Sequence, residues 1–276
     1  MPKQRASRAI PKELPLCDGP TLGLFQHHAS NIQWFERLGG DDEGTPAEGY
    51  VFRAKIRKRE YAIKIFKFYD PRSNECFWEP LLGDDVSLET IAYYTDPFYS
   101  ECRAYGRIHQ GIKKRELKPD VVIPCHGFFF LREKDKRILD SRNINLELDK
   151  VDHNYQRSTV GGYRVRAIVK DLASAGSGVN GQSLRRILED IVKLNSLRIY
   201  NMDIRLDNYR DGKLVDFGAS WTEPHILLDE LDDETATEYR IVDRAMFDRM
   251  VKDEGIANPK RIVALHRMKL RSRPPS

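Results

Sequence analysis

Cysteine is scarce in this sequence, four in 276 residues. Cys17, Cys76, Cys102 and Cys125 show neither the spacing of a metal knuckle nor a CxxC redox pair, which argues against a zinc module or a disulfide scaffold. Cys102 and Cys125 sit in apolar contexts and read as buried thiols. No apolar run approaches the roughly 20 residues that cross a bilayer, and no opening stretch looks like a signal peptide. A membrane is therefore not expected as a partner, and an intracellular setting is, cytoplasmic or nuclear. One-sided charge is missing too. Lys+Arg 46 stand against Asp+Glu 42, so the formal charge of +4 is a small difference between large totals, and nucleic acid is not expected as a ligand. There are no internal repeats.

What is present is a graded order of patterns. Residues 1–20 are polar, basic and proline-bearing, and read as a flexible arm. Residues 257–276 read as a basic tail. Tyr50–Ile56 alternates, turns at Lys58-Arg59-Glu60, and returns as Tyr61–Phe66, a strand pair. A helix is possible at 86–94. Asp96-Pro97 opens another, with Phe98, Cys102, Tyr105 and Ile108 on one apolar face. Val121–Ile123, Phe128–Leu131 and Val165–Leu172 read as strands. The charged stretch 133–160 lacks clear periodicity and reads as a surface insertion. Residues 173–182, rich in Gly, Ser and Ala, read as a linker. Leu184, Ile187, Leu188, Ile191, Leu194 and Leu197 mark the clearest helix, and a last helix is expected over 235–252. Asp211-Gly212 is a two-residue hairpin turn.

Three chemical signals follow one another along this frame. The first is Tyr61-Ala62-Ile63-Lys64 on a strand, preceded by Gly44-Thr45-Pro46-Ala47-Glu48-Gly49-Tyr50-Val51. The second is Asp203-Ile204-Arg205-Leu206-Asp207-Asn208 directly after the long helix. The third is Asp216-Phe217-Gly218 after the hairpin. Together they resemble the lysine strand, catalytic loop and metal-binding triplet of the protein-kinase superfamily. The resemblance spans residues 36–220. It implies an α+β, two-lobed protein-kinase-like fold with a shortened C-terminal lobe. The N-terminal lobe is expected over 21–172 and the C-terminal lobe over 173–256.

The resemblance also implies ATP and Mg2+ as cofactors. Phosphoryl transfer needs positioning and charge neutralisation more than covalent help. Lys64 would pair with the phosphates, with Gly44, Gly49, Val51 and Ala62 completing the nucleotide site. Glu101 would orient Lys64, and Glu89 competes for that role because it lies nearer in sequence. Asp203 would act as the base, and Asn208 and Asp216 would hold the metal through hard oxygen ligands. Pro46 stands where the family has the middle glycine of its phosphate loop, and Gly39-Gly40 could form the turn instead. Asn201-Met202 replaces the usual His-Arg, and 58 residues (276 minus 218) follow Gly218, too few for the usual peptide platform. Outside this pattern, His225 reads as a packed or surface histidine before it reads as a site, and Trp221 reads as core.

The sequence also resembles a narrower group, short kinase-like proteins of filamentous fungi that carry the label of an inner-kinetochore subunit family. Asp96–Arg107 and Tyr209–Phe217 carry that resemblance. Two functions are expected in parallel. One is a phosphotransferase whose acceptor the sequence does not name. The other is a pseudokinase that works as a binding or assembly subunit with a protein partner.

Overall fold

The structure is a computed structural model, and it describes residues 18–40, 48–70, 86–151 and 164–264. Residues 1–17 of the expected arm, the later part of the expected tail, and Gly44 and Pro46 lie outside the described residues. Five strands form one antiparallel sheet: β1 Ile32–Gly39, β2 Gly49–Ile56, β3 Arg59–Phe66, β4 Cys125–Phe130 and β5 Arg166–Asp171, in the order β1-β2-β3-β5-β4. The β2–β3 hairpin is in continuous register from Gly49 opposite Phe66 to Ile56 opposite Arg59. Alternation decides which side chains face which core. Ile63, Ile65, Ala167 and Phe129 join one apolar cluster, while Phe66, Ile168 and Phe128 join another on the opposite face.

That second cluster is where the helices enter. Helix α1 covers Leu88–Thr95 and α2 covers Pro97–Lys113. Asp96 caps α2, its Oδ1 accepting from Phe98 N at 2.9 Å, and Pro97 occupies the first turn, where no N–H is needed. Phe98, Cys102, Tyr105 and Ile108 are buried, as their spacing predicts. Asp96 has a second duty. Its Oδ2 accepts from Arg166 Nη1 at 2.5 Å, so a buried ion pair ties the helix start to β5. Burial raises the Asp96 carboxyl above its ordinary range, outweighing the opposing pull of Arg166.

Two stretches differ from their sequence reading, and a third is more firmly held than its composition suggests. Val121–Ile123 forms no strand; it contributes one isolated bridge, Val122 with Leu214. Such a short apolar run suits any buried segment. In the charged stretch 133–160, residues 133–140 form helix α3, Glu133–Asp140, with Leu139 and Asp135 buried, and Leu146 joins the sheet's core beyond it. Its period is hidden because a core-facing position holds an aspartate, satisfied by Trp34 Nε1 at 3.3 Å and Arg132 Nε at 2.7 Å. Residues 173–182 carry linker composition, yet they are fastened to the hairpin turn. Asp211 N donates to Gly176 O at 3.0 Å and Gly212 N to Ser177 O at 2.6 Å.

The helical half follows. Helix α4, Leu184–Ser196, leads through β6, Ile199–Tyr200, and a 3-10 turn at Leu206–Asn208 to the small hairpin β7, Tyr209–Arg210, and β8, Lys213–Leu214. Strand β9, Trp221–Thr222, pairs back on β6, and α5, Ile226–Asp229, and α6, Asp233–Asp253, complete it. Among the described residues no helix is long and apolar enough to cross a membrane.

Candidate functional site

The cleft between the sheet and the helical half has a volume of about 870 Å3. Gly49, Val51, Ala62 and Lys64 line it from the sheet, and Asp203, Asn208 and Asp216 from the loops below. Glu101 reaches Lys64 from α2 behind it, so the residues singled out in the sequence, Gly44 aside, converge on one place. Glu89 belongs to α1, and its side chain lies outside the described set.

Lys64 is buried at the middle of β3, opposite Val51 on one side and Ile168 on the other. Its ammonium donates to both oxygens of Asp216, at 2.7 and 2.8 Å. It also lies 3.2 Å from Glu101 Oε2 and 3.5 Å from Glu48 Oε2. Burial alone would push this lysine's pKa down; the carboxylates of Asp216, Glu101 and Glu48 outweigh that and hold it above its ordinary value. Asp216 shows the converse. Burial would raise its carboxyl, but Lys64 and then Lys170 hold it well below the usual range, and Gly218 N adds a bond at 2.8 Å. Both groups are therefore charged at neutral pH.

Below them, the loop after β6 is built from amides. Asn201 Nδ2 donates to the Asp216 carbonyl at 2.7 Å, and its Oδ1 accepts from Asp203 N at 3.2 Å. Asn208 Nδ2 donates to the carbonyl of Asp203 at 2.9 Å and to its Oδ2 at 2.7 Å. Arg205 Nε lies 3.2 Å from the same Oδ2. Buried Asp243, from α6, accepts from Asn201 N and Met202 N at 2.8 Å each and from Asn195 Nδ2 at 2.8 Å. It thereby holds a turn in which Met202 takes a left-handed conformation, with φ of 64°.

The sequence reading overlooked three of these groups. Lys170 of β5 is buried, with its ammonium bonded to Glu101 Oε1 and to the Val215 carbonyl, the latter at 2.5 Å. Nothing in its strand's sequence distinguishes it from a solvated lysine. Glu48 sits beside Gly49 within the glycine motif, and only its reach to Lys64 distinguishes it. Asp243 falls in a charged helix that gives no sign of a buried face. Gly49 is fixed by packing: a Cβ there would lie 2.1 Å from Ile65 O on the neighbouring strand. His225 is buried, stacked on Trp221 at 5.0 Å, and its Nδ1 accepts from Leu227 N at 3.3 Å. Burial keeps it neutral. It caps and packs α5 away from the cleft.

Among the described residues no three His, Cys, Asp or Glu side chains gather as a metal site. Mg2+ needs no such cage, since it is commonly held by one or two protein oxygens with substrate phosphates completing its shell. The Asp216 carboxylate and the Asn208 amide oxygen, whose Nδ2 is already engaged, could supply that minimal set.

A five-stranded antiparallel sheet, a helix delivering a carboxylate to a strand lysine, and a cleft closed by a short helical half define a protein-kinase-like α+β fold. The chain belongs to the family described as kinetochore Sim4 complex subunit FTA2, whose model matches residues 10–221. Among solved structures, that of vaccinia related kinase 3 is similar at 10% identity and a TM-score of 0.37, covering 76% of this chain and 53% of that one. The chain thus spans about half of that structure's length. No curated protein matches the sequence.

Proposed function

We propose that the cleft binds ATP with Mg2+ and transfers its γ-phosphoryl group to an acceptor hydroxyl. One observation carries this reading: Lys64 bonds Asp216 and forms an ion pair with Glu101 in the cleft whose floor presents Asp203 bound to Asn208. Lys64 would turn from Asp216 to the phosphates, while Glu101 keeps its ammonium in place. Asp203 would accept the proton of the attacking hydroxyl, its Oδ2 aimed by Asn208 and Arg205. Asp216 and Asn208 would hold Mg2+, which neutralises phosphate charge when bound.

The test is calorimetric titration with ATP and Mg2+, followed by measurement of phosphate release and transfer. Lys64→Met and Asp216→Ala should lose binding. Asp203→Asn should keep binding and lose turnover by about 100-fold or more. Full turnover in Asp203→Asn, or no binding by the folded wild-type chain, overturns the reading.

A second reading is favoured by the family to which the chain belongs. A kinase-like domain of a kinetochore subunit family would act in the nucleus as an assembly subunit bound to protein partners. Asn201-Met202 in place of His-Arg fits such a role. Stable co-purification with a partner, unchanged in Asp203→Asn and without measurable turnover, would favour it.

A further inference from the structure

Lys170 has no part in the roles set out above, yet it lies at the centre of the site. Its ammonium is buried, and it lines the same cavity as Lys64. Glu101 is wholly buried and serves both lysines, Oε1 to Lys170 and Oε2 to Lys64. Lys170 also donates to the Val215 carbonyl, one residue before Asp216, at 2.5 Å. A single ammonium thus joins β5, α2 and the segment carrying Asp216.

Charge balance gives this a consequence. At low effective dielectric a buried carboxylate with one cation holds it tightly, because water does not weaken their attraction. With Lys170 alone on Glu101, Lys64 would be free; with Lys64 alone, Lys64 would be captured. Two ammoniums on one carboxylate divide its charge. Lys64 then retains attraction for an anion arriving from the cleft, and Lys170 adds a second positive charge to the cavity wall.

We propose that Lys170 is a positioning residue of this site, holding Glu101 and the Val215 carbonyl so that Lys64 can exchange Asp216 for a polyphosphate. The inference deepens the nucleotide reading and rests on it. The ligand class it favours is a nucleoside triphosphate over the bare nucleoside.

The experiment compares the full-length wild-type chain with Lys170→Met and Lys170→Arg, titrating each with ATP plus Mg2+ and with adenosine, and recording each melting curve. Lys170→Met should lose ATP affinity by about tenfold, the scale of one charge-assisted contact. Its adenosine affinity should not change, and Lys170→Arg should recover most of the loss. Unchanged ATP affinity in folded Lys170→Met overturns the inference alone. An equal fall for ATP and adenosine also overturns it, since that is the mark of a merely structural role. If the methionine variant does not fold, Lys170→Gln, which keeps a donor, carries the same outcomes. A folded wild-type chain that binds no ATP sinks the nucleotide reading, and this inference with it.

Discussion

Glu48 shows how one side chain can set the state of this cleft. It reaches within 3.5 Å of Lys64, and its Oε2 lies against Gly218, 2.1 Å from where a Cβ on that glycine would stand. Its carboxylate therefore lies beside the ammonium that a phosphate would need. Lys64, Glu101 and Asp216 are held by neighbours on several elements, while Glu48 remains partly open to solvent and is the easiest to displace. Burial raises the Glu48 pKa to about 7 against the pull of Lys64, so Glu48→Gln keeps the shape and removes a negative charge that is only partly present at neutral pH. It should tighten ATP binding about two- to fivefold, within the range of a single surface-accessible charge contact. Titration calorimetry at matched salt reads this directly, and weaker binding in Glu48→Gln would show that the carboxylate helps the ligand. At this scale much was legible beforehand. Lys64, Asp203, Asn208 and Asp216 stood out because each is a polar residue fixed by a motif at known spacing; Glu101 stood out only by its place on the helix that Asp96-Pro97 opens, with Glu89 as its competitor. Lys170 and Glu48 did not, because their significance comes from contacts with Glu101 and Lys64 across 69 and 16 positions of chain (170 minus 101, 64 minus 48).

At the scale of elements, two helices brace the site. Asp243 of α6 accepts from the Asn201 and Met202 amides and from Asn195. Asp243→Ala leaves those donors without their acceptor and should cost about 3 kcal/mol of stability. Asp243→Asn keeps one acceptor oxygen and should cost less; chemical denaturation of both variants measures the order. Helix α2 is braced on its other flank. Gly106 faces the backbone of Pro20 and Thr21, and a Cβ there would lie 2.5 Å from Thr21 Cα. Leu22 N also donates to Cys102 O at 2.9 Å, so this segment lies directly on the helix. Gly106→Ala should cost about 2 kcal/mol by overpacking, which lowers the melting temperature by about 5 °C for a domain of this size. An unchanged melting temperature would mean that the segment leaves the helix at no cost. Periodicity revealed α2 and α4 in the sequence because each keeps an apolar stripe. Strand β1 was missed: in Ile32–Gly39 only Trp34 is fully buried and the pairing with β2 is irregular, so alternation is weak. Helix α3 was missed because Asp135 occupies a core position.

For the molecule as a whole, the connectivity of its cores decides how it unfolds. The larger cluster takes Phe66 from β3, Phe128 from β4 and Ile168 from β5, and continues through Phe98, Tyr105, Ile187, Ile191, Phe217 and Phe247. Sheet and helical half thus share one apolar core beneath the cleft, and neither can unfold without exposing the other's surface. Within the sheet part, the Asp96–Arg166 and Glu101–Lys170 ion pairs join α2 to β5. Breaking either leaves a buried charge uncompensated, which costs far more than losing an exposed pair. A single cooperative transition is therefore expected, with calorimetric and van't Hoff enthalpies equal. The cleft is formed only when both parts are in place, so on the proposed reading ATP with Mg2+ would bind the folded chain alone. At 100-fold excess over its Kd it should add about 2.7 kcal/mol of stability, moving the whole transition without splitting it. Two resolved transitions would show that the shared core does not couple the halves. A single transition shifted by ATP only when Mg2+ is present, and not shifted in Asp216→Ala, would place the nucleotide and its metal at the junction on which the cooperativity depends.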